Sequence, residues 1–354
     1  MSDVFFVPTS HDEPAAARVE ALWRRAAFDV CFKPTDLTAI KVHVGEPGCK
    51  TFIGPERVLA VVRCVQATGA RPFLTDTAVL YRSPRDNGVT HAEVARAHGF
   101  GHEAMGVPFI PGDGLNGSDE IEVEVGGRHF DRVTIASAIM HASSLVVVSH
   151  ATGHLGTGLG GALKNLGMGC SSRKAKLRQH HGQHPTIRGE QCTACGTCAE
   201  WCPSDAITVH ETAEIDAALC IGCGECIAVC RDGAVRFGWG IMGRELQERI
   251  VEHAAAVVRA KRGRMVHVTV AERITKDCDC LSKDQRPLLE DIGILASLDP
   301  VALDQAVLEL VRERAGRTLE SMSYPQHDAA IQLRYAEELG LGQRAFSLVR
   351  VDGA

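Results

Sequence analysis

Residues 192–203 read Cys-Thr-Ala-Cys-Gly-Thr-Cys-Ala-Glu-Trp-Cys-Pro, and residues 220–230 read Cys-Ile-Gly-Cys-Gly-Glu-Cys-Ile-Ala-Val-Cys. Both stretches have the spacing C-x2-C-x2-C-x3-C, which is typical of bacterial iron–sulfur ferredoxins. The residue after the last cysteine differs, because Arg231 stands where the first stretch has Pro203. The repeat predicts a small unit that holds two [4Fe–4S] clusters and handles low-potential electrons.

The spacing also predicts which cysteines hold which cluster. Three closely spaced thiolates can hold one face of a cubane, and the fourth cysteine of each stretch ligates the other cluster. The first cluster is therefore assigned to Cys192, Cys195, Cys198 and Cys230, and the second to Cys220, Cys223, Cys226 and Cys202. A zinc-ribbon-like site is the alternative, and the spacing of the fourth cysteine disfavours it.

Outside this unit, strand-like and helix-like stretches alternate along the chain. Residues 37–45 and 71–77 have the pattern of strands, and residues 55–69 between them have helical spacing. Similar patterns return after residue 239. We therefore predict an α/β fold whose discontinuous domain has a mixed or parallel sheet and carries an inserted small α+β dicluster ferredoxin-like module. The boundaries are 1–187 and 239–354 for the host domain and 188–238 for the module.

The bulk composition limits the classes of function and location. The chain has 354 residues, 45% of them hydrophobic, which is enough for one large α/β domain and a small one. Its formal net charge of −6 argues against a nucleic-acid or membrane-surface binder. No apolar run reaches the length of a membrane span, and the first residues lack the pattern of a secretory signal. A cytoplasmic location is expected, where 14 cysteines indicate metal ligation rather than disulfides.

Three cysteines outside the repeat suggest a third centre. Cys278 and Cys280 alternate along an extended segment, so their thiols are expected on one side of it. With Cys170 they could hold another metal or iron–sulfur centre with an open iron. A redox-active pair and unpaired structural thiols are the alternatives.

A glycine-rich stretch follows the strand-like residues 143–150. Gly156, Gly158 and Gly161 match the pattern G-x-G-x-x-G, whose backbone amides can bind an anion. A dinucleotide site is disfavoured because no acidic residue follows at the required distance. We instead expect the loop and the basic residues 173–178 to bind an anionic group of a substrate, although a solvated basic stretch is an equally good interpretation of the latter.

Four stretches resemble a known family: KVHVGE (41–46), SHATGHLGTGLGGALKNLGMGC (149–170), DCDC (277–280) and DIGILASLDPVALDQA (291–306). They resemble the family known as domain of unknown function 362, in its form with a ferredoxin insert, over residues 38–310. The resemblance implies one α/β host domain with an embedded dicluster ferredoxin, and it names no substrate. It places the site among Lys41, His43, Glu46, His150, His154, Lys164, Asn165, Cys170, Cys278, Cys280, Asp291 and Asp299.

The leading functional hypothesis is an iron–sulfur oxidoreductase, in which the clusters relay electrons to a substrate or to a third metal or thiol centre. The predicted catalytic residues are Lys41, His43, His150, His154, Lys164, Cys278 and Cys280. A ferredoxin, a flavodoxin or a reductase is the expected redox partner, and a small molecule the expected substrate. One alternative is a non-catalytic electron carrier or maturation protein. Another is a non-redox lyase or desulfidase with an open iron at Cys170, Cys278 and Cys280. No segment indicates a flavin.

Overall fold

A seven-stranded sheet forms the centre of the protein in the computed structural model, which describes residues 1–10, 12–180, 184–222, 224–237 and 240–351. In spatial order the strands are β15 (Phe346–Arg350), β1 (Ser2–Pro8), β14 (Gly293–Ser297), β13 (Met265–Ala271), β6 (Ser144–His150), β2 (Leu37–Val42) and β3 (Arg71–Thr75). Strands β13, β6, β2 and β3 run parallel, whereas β14 pairs antiparallel with both β13 and β1. The predicted α/β fold with a mixed sheet is confirmed.

The sequence of the central strands explains their position. Strands β6 and β13 are buried along their whole length, and their near-continuous apolar runs are typical of strands covered on both faces. Along β6, Val146 and Val148 face one apolar core, and Leu145 and Val147 face the other. Helices therefore have to cover both faces of the sheet.

In the described part of the chain, helices cover both faces of the sheet, one group on each face. The first group is α1 (Ala15–Ala26), α2 (Pro55–Ala67), α3 (Gly88–Ala95) and α4 (His102–Met105). The second group is α5 (Ser137–His141), α6 (Ala162–Gly167), α7 (Arg173–His180), α10 (Arg244–Ala260), α11 (Pro300–Ala315), α12 (Leu319–Met322) and α13 (Ala330–Glu338). No described helix is long and apolar enough to cross a membrane.

Helix α11 illustrates how the local sequence sets an element's start. Asp299 is its N-cap and accepts hydrogen bonds from the backbone N–H groups of Val301 and Ala302, at 2.8 and 3.0 Å. Pro300 occupies the first helical position, where the missing N–H has no partner to lose. Asp299, one of the positions implied by the resemblance, therefore has a capping role and does not face the cavity described below.

Residues 184–222 and 224–237 form a small unit between α7 and α10. Strands of the central sheet both precede and follow this unit in the sequence. Its elements are β9 (Thr186–Ile187), α8 (Thr197–Glu200), β10 (Ile207–Val209), β11 (Ala213–Ile215), α9 (Glu225–Val229) and β12 (Val235–Arg236). Strand β9 pairs with β12 and β10 with β11, both antiparallel. The unit has its own apolar cluster, which includes Cys198, Ile207, Ala213, Cys226 and Val235.

Two hairpins complete the fold. One is formed by β4 (Glu120–Glu124) and β5 (Arg132–Ala136), which pair antiparallel. The glycine-rich stretch also forms a hairpin, β7 (Thr152–His154) and β8 (Gly158–Gly160), before α6 begins. A Cβ at Gly160 would lie 2.8 Å from Thr152 Oγ1, so a side chain would not fit between these strands. The match to G-x-G-x-x-G therefore reflects a tight hairpin and not a strand–loop–helix nucleotide site.

Candidate functional site

A cavity of about 480 Å³ opens at the carboxyl edge of the parallel strands. In open α/β sheets, ligands bind at this edge, and the volume falls in the range of pockets for small organic ligands. The segments that follow β2, β3, β6 and β13 all contribute to its wall. The residues predicted from the sequence that line it are His43, His150, His154, Gly156, Gly161, Lys164, Asn165, Cys278 and Cys280, together with Lys176 of the basic stretch.

A buried network of charges lies at one side of the cavity. The Asp76 carboxylate is 2.9 Å from Lys41 Nζ and 3.3 Å from an Arg85 nitrogen, and Arg85 also contacts Glu46 at 3.1 Å. All four side chains are almost completely buried. Burial alone would raise the pKa of Asp76, but Lys41, His91 and Arg85 outweigh it and hold that pKa well below its usual range. The network fixes the ends of β2 and β3 relative to each other.

Lys41, predicted to position a substrate, is buried in this network and does not line the cavity. Its ammonium group also donates to Asn165 Oδ1 at 2.8 Å. Asn165 in turn donates to the Val148 carbonyl at 3.0 Å, which ties helix α6 to the end of β6. Lys41 is thus a positioning residue, because the side chain of a fully paired, buried lysine cannot reach a ligand.

His150 forms two hydrogen bonds that determine its charge. Its Nδ1 contacts the Asp279 carboxylate at 2.8 Å, and its Nε2 contacts the Glu272 carbonyl oxygen at 2.8 Å. Both partners are acceptors, so both ring nitrogens carry protons. Burial lowers the pKa of His150, but Asp279 and the Glu272 carbonyl outweigh it and raise the pKa above the ordinary value. His150, predicted as a catalytic residue, is therefore a buried imidazolium whose protons are both held.

His43 and His154 have the opposite character. Nδ1 of His43 accepts the N–H of Gly45 at 3.1 Å, and Nδ1 of His154 accepts the N–H of Gly156 at 3.2 Å. Each ring therefore carries its proton on Nε2. Burial lowers the pKa of both histidines well below the ordinary value, with further contributions from Arg85 at His43 and from Lys164 at His154. Both are neutral N–H donors in the cavity wall.

Two lysines in the cavity wall differ in their partners. Lys176 donates to Thr77 Oγ1 at 2.6 Å and to the Ala78 carbonyl. Lys164 forms no hydrogen bond or ion pair with any residue in the described part of the chain. Burial lowers the pKa of each lysine to about 8. Nearby Lys41 lowers the pKa of Lys164 further and so contributes to this value.

Cys278 and Cys280 are joined by a disulfide, and both half-buried side chains line the cavity. The backbone around them is held on two sides. The Tyr81 hydroxyl donates to the Cys280 carbonyl at 2.9 Å, and the Glu46 N–H donates to the Asp279 carbonyl at 2.9 Å. The prediction that the two thiols lie on one side of the segment agrees with this arrangement.

The structure does not bring Cys170 together with this pair. Cys170 is fully buried in the apolar core beneath α10, and burial raises its pKa to about 11. Gly158 and Asp291 also lie away from the cavity wall. Among the described residues, no group of three or more histidine, cysteine, aspartate or glutamate side chains is placed to hold a single metal ion.

The cysteines of residues 184–237 surround two further, smaller cavities. One is lined by Cys192, Cys195, Cys198 and Cys230, and the other by Cys202, Cys220 and Cys226. Cys223 lies outside the described residues. Each cavity thus has cysteines from both halves of the repeat in its wall.

The second of these cavities adjoins helix α7. Gly224, in its wall, is so close to the helix that a Cβ would lie 3.1 Å from Leu177 Cδ2. Lys176 and His180 of the same helix line the large cavity. Helix α7 therefore separates the second cysteine-lined cavity from the large one.

Sequence reasoning missed several residues of the site. Tyr81 and Arg85 lie in the loop after β3, where the sequence has no motif or periodicity to single them out. Asp76, by contrast, directly follows the strand pattern of residues 71–75, and that position marks it as a candidate. Asp279 was missed, although it lies between the two cysteines of the DCDC stretch.

Two solved structures are distantly similar to this chain. The chain is 12% identical to the lactate racemase apoprotein from Thermoanaerobacterium thermosaccharolyticum, with a TM-score of 0.37 over 76% of this chain and 50% of that one. It is 8% identical to a protein from Thermotoga maritima, with a TM-score of 0.46 over 87% of this chain and 60% of that one. The chain thus spans about half to three fifths of those proteins, and likenesses at these scores do not indicate a shared activity.

A comparison with curated proteins finds no match to this chain. A family model does match, over residues 38–309, which include the buried network, the glycine-rich hairpin, the cysteine repeat and the disulfide. The chain belongs to the family described as "Domain of unknown function (DUF362)".

Proposed function

We propose that this protein is an iron–sulfur oxidoreductase whose residues 188–238 hold two [4Fe–4S] clusters and whose cavity contains the electron-accepting site. The observation that supports it most directly is the grouping of the cysteines around two cavities, one of which adjoins the helix that lines the large cavity. Bound clusters of this kind supply single electrons at low potential.

The residues around both small cavities fit such clusters. Backbone N–H groups donate to cysteine sulfurs from Ala213 to Cys192 at 3.3 Å, from Ala234 to Cys230 at 3.2 Å, and from Ala206 to Cys202 at 3.2 Å. Such hydrogen bonds stabilise negative charge on cluster ligands and tune their potential. The ligands of a cubane bind separate irons, so they do not need to converge on one point as they do around a single ion.

In the large cavity, the Cys278–Cys280 disulfide is the group that can accept electrons. Its reduction breaks the S–S bond, consumes two electrons and two protons, and leaves two thiols. A reduced ferredoxin or flavodoxin is the class of donor that supplies the electrons and is itself oxidised. Lys164 can supply one of the two protons near neutral pH because its pKa is about 8, and the solvent supplies the other, whereas the protons of His150 are held by Asp279 and Glu272.

The first test is the iron and sulfide content of the chain purified without oxygen, together with its EPR spectrum after reduction. We expect about eight irons and eight sulfides per chain. Cys226→Ser should lose about four of them, whereas Cys64→Ser, which changes a cysteine of helix α2 far from both small cavities, should lose none. Zinc in place of iron, or equal losses in both variants, would contradict the proposal.

A second test addresses the disulfide. With reduced ferredoxin as donor, Cys278 and Cys280 should become accessible to an alkylating reagent, measured by mass spectrometry of their peptide. Cys226→Ser should suppress this reduction even though it leaves both cysteines in place. If the peptide is alkylated equally in the native chain and in Cys226→Ser, the two sites are not connected, and a separate carrier role for the module becomes the better explanation.

A further inference from the structure

We infer that the cavity binds a monocarboxylate with an apolar body, and that the Lys164 ammonium group receives the carboxylate. This inference deepens the proposed function, on which it rests, because the carboxylate would be the substrate of the same cavity. It is carried by the partners of the charged groups that line the cavity and by the apolar character of the remaining wall.

Among the described residues, every charged side chain of the cavity wall except one has a charged or polar partner. Arg85 is held by Glu46 and Asp76, and His150 by Asp279. Lys176 is held by two neutral acceptors, Thr77 Oγ1 and the Ala78 carbonyl. Asp277 contacts Lys283 at 2.7 Å and the Tyr324 hydroxyl.

Within the described residues, Lys164 is the cavity-lining cation that lacks any such partner. A half-buried ammonium group that no acceptor contacts is costly unless a ligand supplies one.

A neutral donor lines the same cavity. Nδ1 of His154 accepts the N–H of Gly156, so His154 carries its proton on Nε2. One ammonium group and one imidazole N–H match the two oxygens of a carboxylate. Because Lys164 is the ammonium group of the described cavity wall that has no hydrogen-bond partner, the site suits a monoanion better than a phosphate dianion.

The rest of the wall selects what the carboxylate is attached to. It is largely aliphatic, from Val79, Leu80, Leu155, Met168, Leu246 and Leu281. A ligand that consisted only of charged and hydroxyl groups would leave this surface unmatched, whereas a short carbon chain would bury it. The ligand class is therefore an amphipathic monocarboxylate.

Binding of hexanoate to the full chain, oxidised and without any electron donor, tests this inference by calorimetry. Hexanamide has nearly the same shape without the charge, and inorganic phosphate has the charge without the carbon chain. We expect hexanoate to bind at least about tenfold more tightly than either. Lys164→Met should lose that preference, whereas Lys50→Met, at an exposed lysine outside the cavity, should keep it.

The native chain provides a measurement that does not depend on the variants. Its affinity for hexanoate should fall as the pH rises through about 8, where Lys164 loses its proton, and its affinity for hexanamide should not. No saturable binding of hexanoate, equal binding of hexanamide, or tighter binding of phosphate would each overturn the inference. The binding assay needs no electron transfer, so the two proposals can fail separately. If the chain purified without oxygen contains no iron but binds hexanoate, the proposed oxidoreductase is refuted and the inference about the cavity stands.

Discussion

The buried Asp76 network gives the sharpest prediction of this structure. Asp76→Asn keeps the size of the side chain but removes the negative charge that faces Lys41 at 2.9 Å and Arg85 at 3.3 Å. Arg85 would keep Glu46, but Lys41 would keep only the neutral Asn165 oxygen. Removal of one partner from a buried ion pair typically destabilises a protein by about 3–5 kcal/mol.

That loss converts into a measurable shift of the melting temperature. For a chain of 354 residues, the unfolding entropy per residue gives about 0.7 kcal/mol per degree. We therefore expect Asp76→Asn to melt about 4–7 °C below the native protein, measured by circular dichroism at one fixed scan rate. The matched control is Asp284→Asn, whose partner Lys50 is 3.6 Å away with both side chains exposed. It should shift the midpoint by about 1 °C or less.

The difference in melting temperature between the native protein and Asp76→Asn should depend on pH, which gives an independent check. Because the pKa of Asp76 is lowered in the folded state, its charge contributes stability above the ordinary pKa of about 4 and loses that contribution as the pH falls towards the folded value. The gap between the native protein and Asp76→Asn should thus be constant near neutral pH and should narrow below about pH 4. A variant that melts within a degree of the native protein at pH 7 would refute the stabilising role of this network.

Two further predictions concern residues whose sequence signals were ambiguous. Cys170→Ser should leave the iron content unchanged. Native Cys170 should resist alkylation at pH 8, because its thiol is fully buried and has a pKa of about 11. A loss of about four irons in the variant would instead restore the third-centre hypothesis. Gly161→Ala should lower the melting temperature by several degrees more than Gly189→Ala. A Cβ at Gly161 would lie 2.4 Å from Asp304 Oδ1, whereas a Cβ at Gly189 would have its nearest neighbour at 3.6 Å. Equal shifts in the two variants would show that the region around Gly161 can relax.

The sequence predicted the α/β fold with a mixed or parallel sheet, because strand and helix patterns are local. Apolar runs mark strands β2, β3 and β6, and the predicted residues His43 and His150 lie at the ends of β2 and β6, where the cavity opens. Strand β14 was not predicted, although it lies between β13 and β1, pairs antiparallel with each, and makes the sheet mixed. Pairing order depends on contacts between distant segments, which one sequence does not display.

The roles of individual residues were harder to predict than their positions. Lys41 and Lys164 are both lysines near the cavity, yet the first forms an ion pair with Asp76 and the second forms none among the described residues. His150 and His154 lie four positions apart, yet one is an imidazolium and the other is neutral. These differences arise from partners such as Asp279 and Glu272, which come from a part of the chain more than a hundred residues away.

The point at which residues 184–237 enter the fold bears on whether they serve the cavity. The preceding helix α7 ends at His180, and the following helix α10 begins at Arg244, and both helix ends are at the cavity. His180 lines it before the insertion, and Met242 and Leu246 line it after the insertion. An insertion that only decorated the surface could leave the host domain at any exposed loop, far from the ligand site. Because described residues on both sides of the cysteine-rich unit line the cavity, their positions support the proposal that this unit serves the cavity, with helix α7 between them.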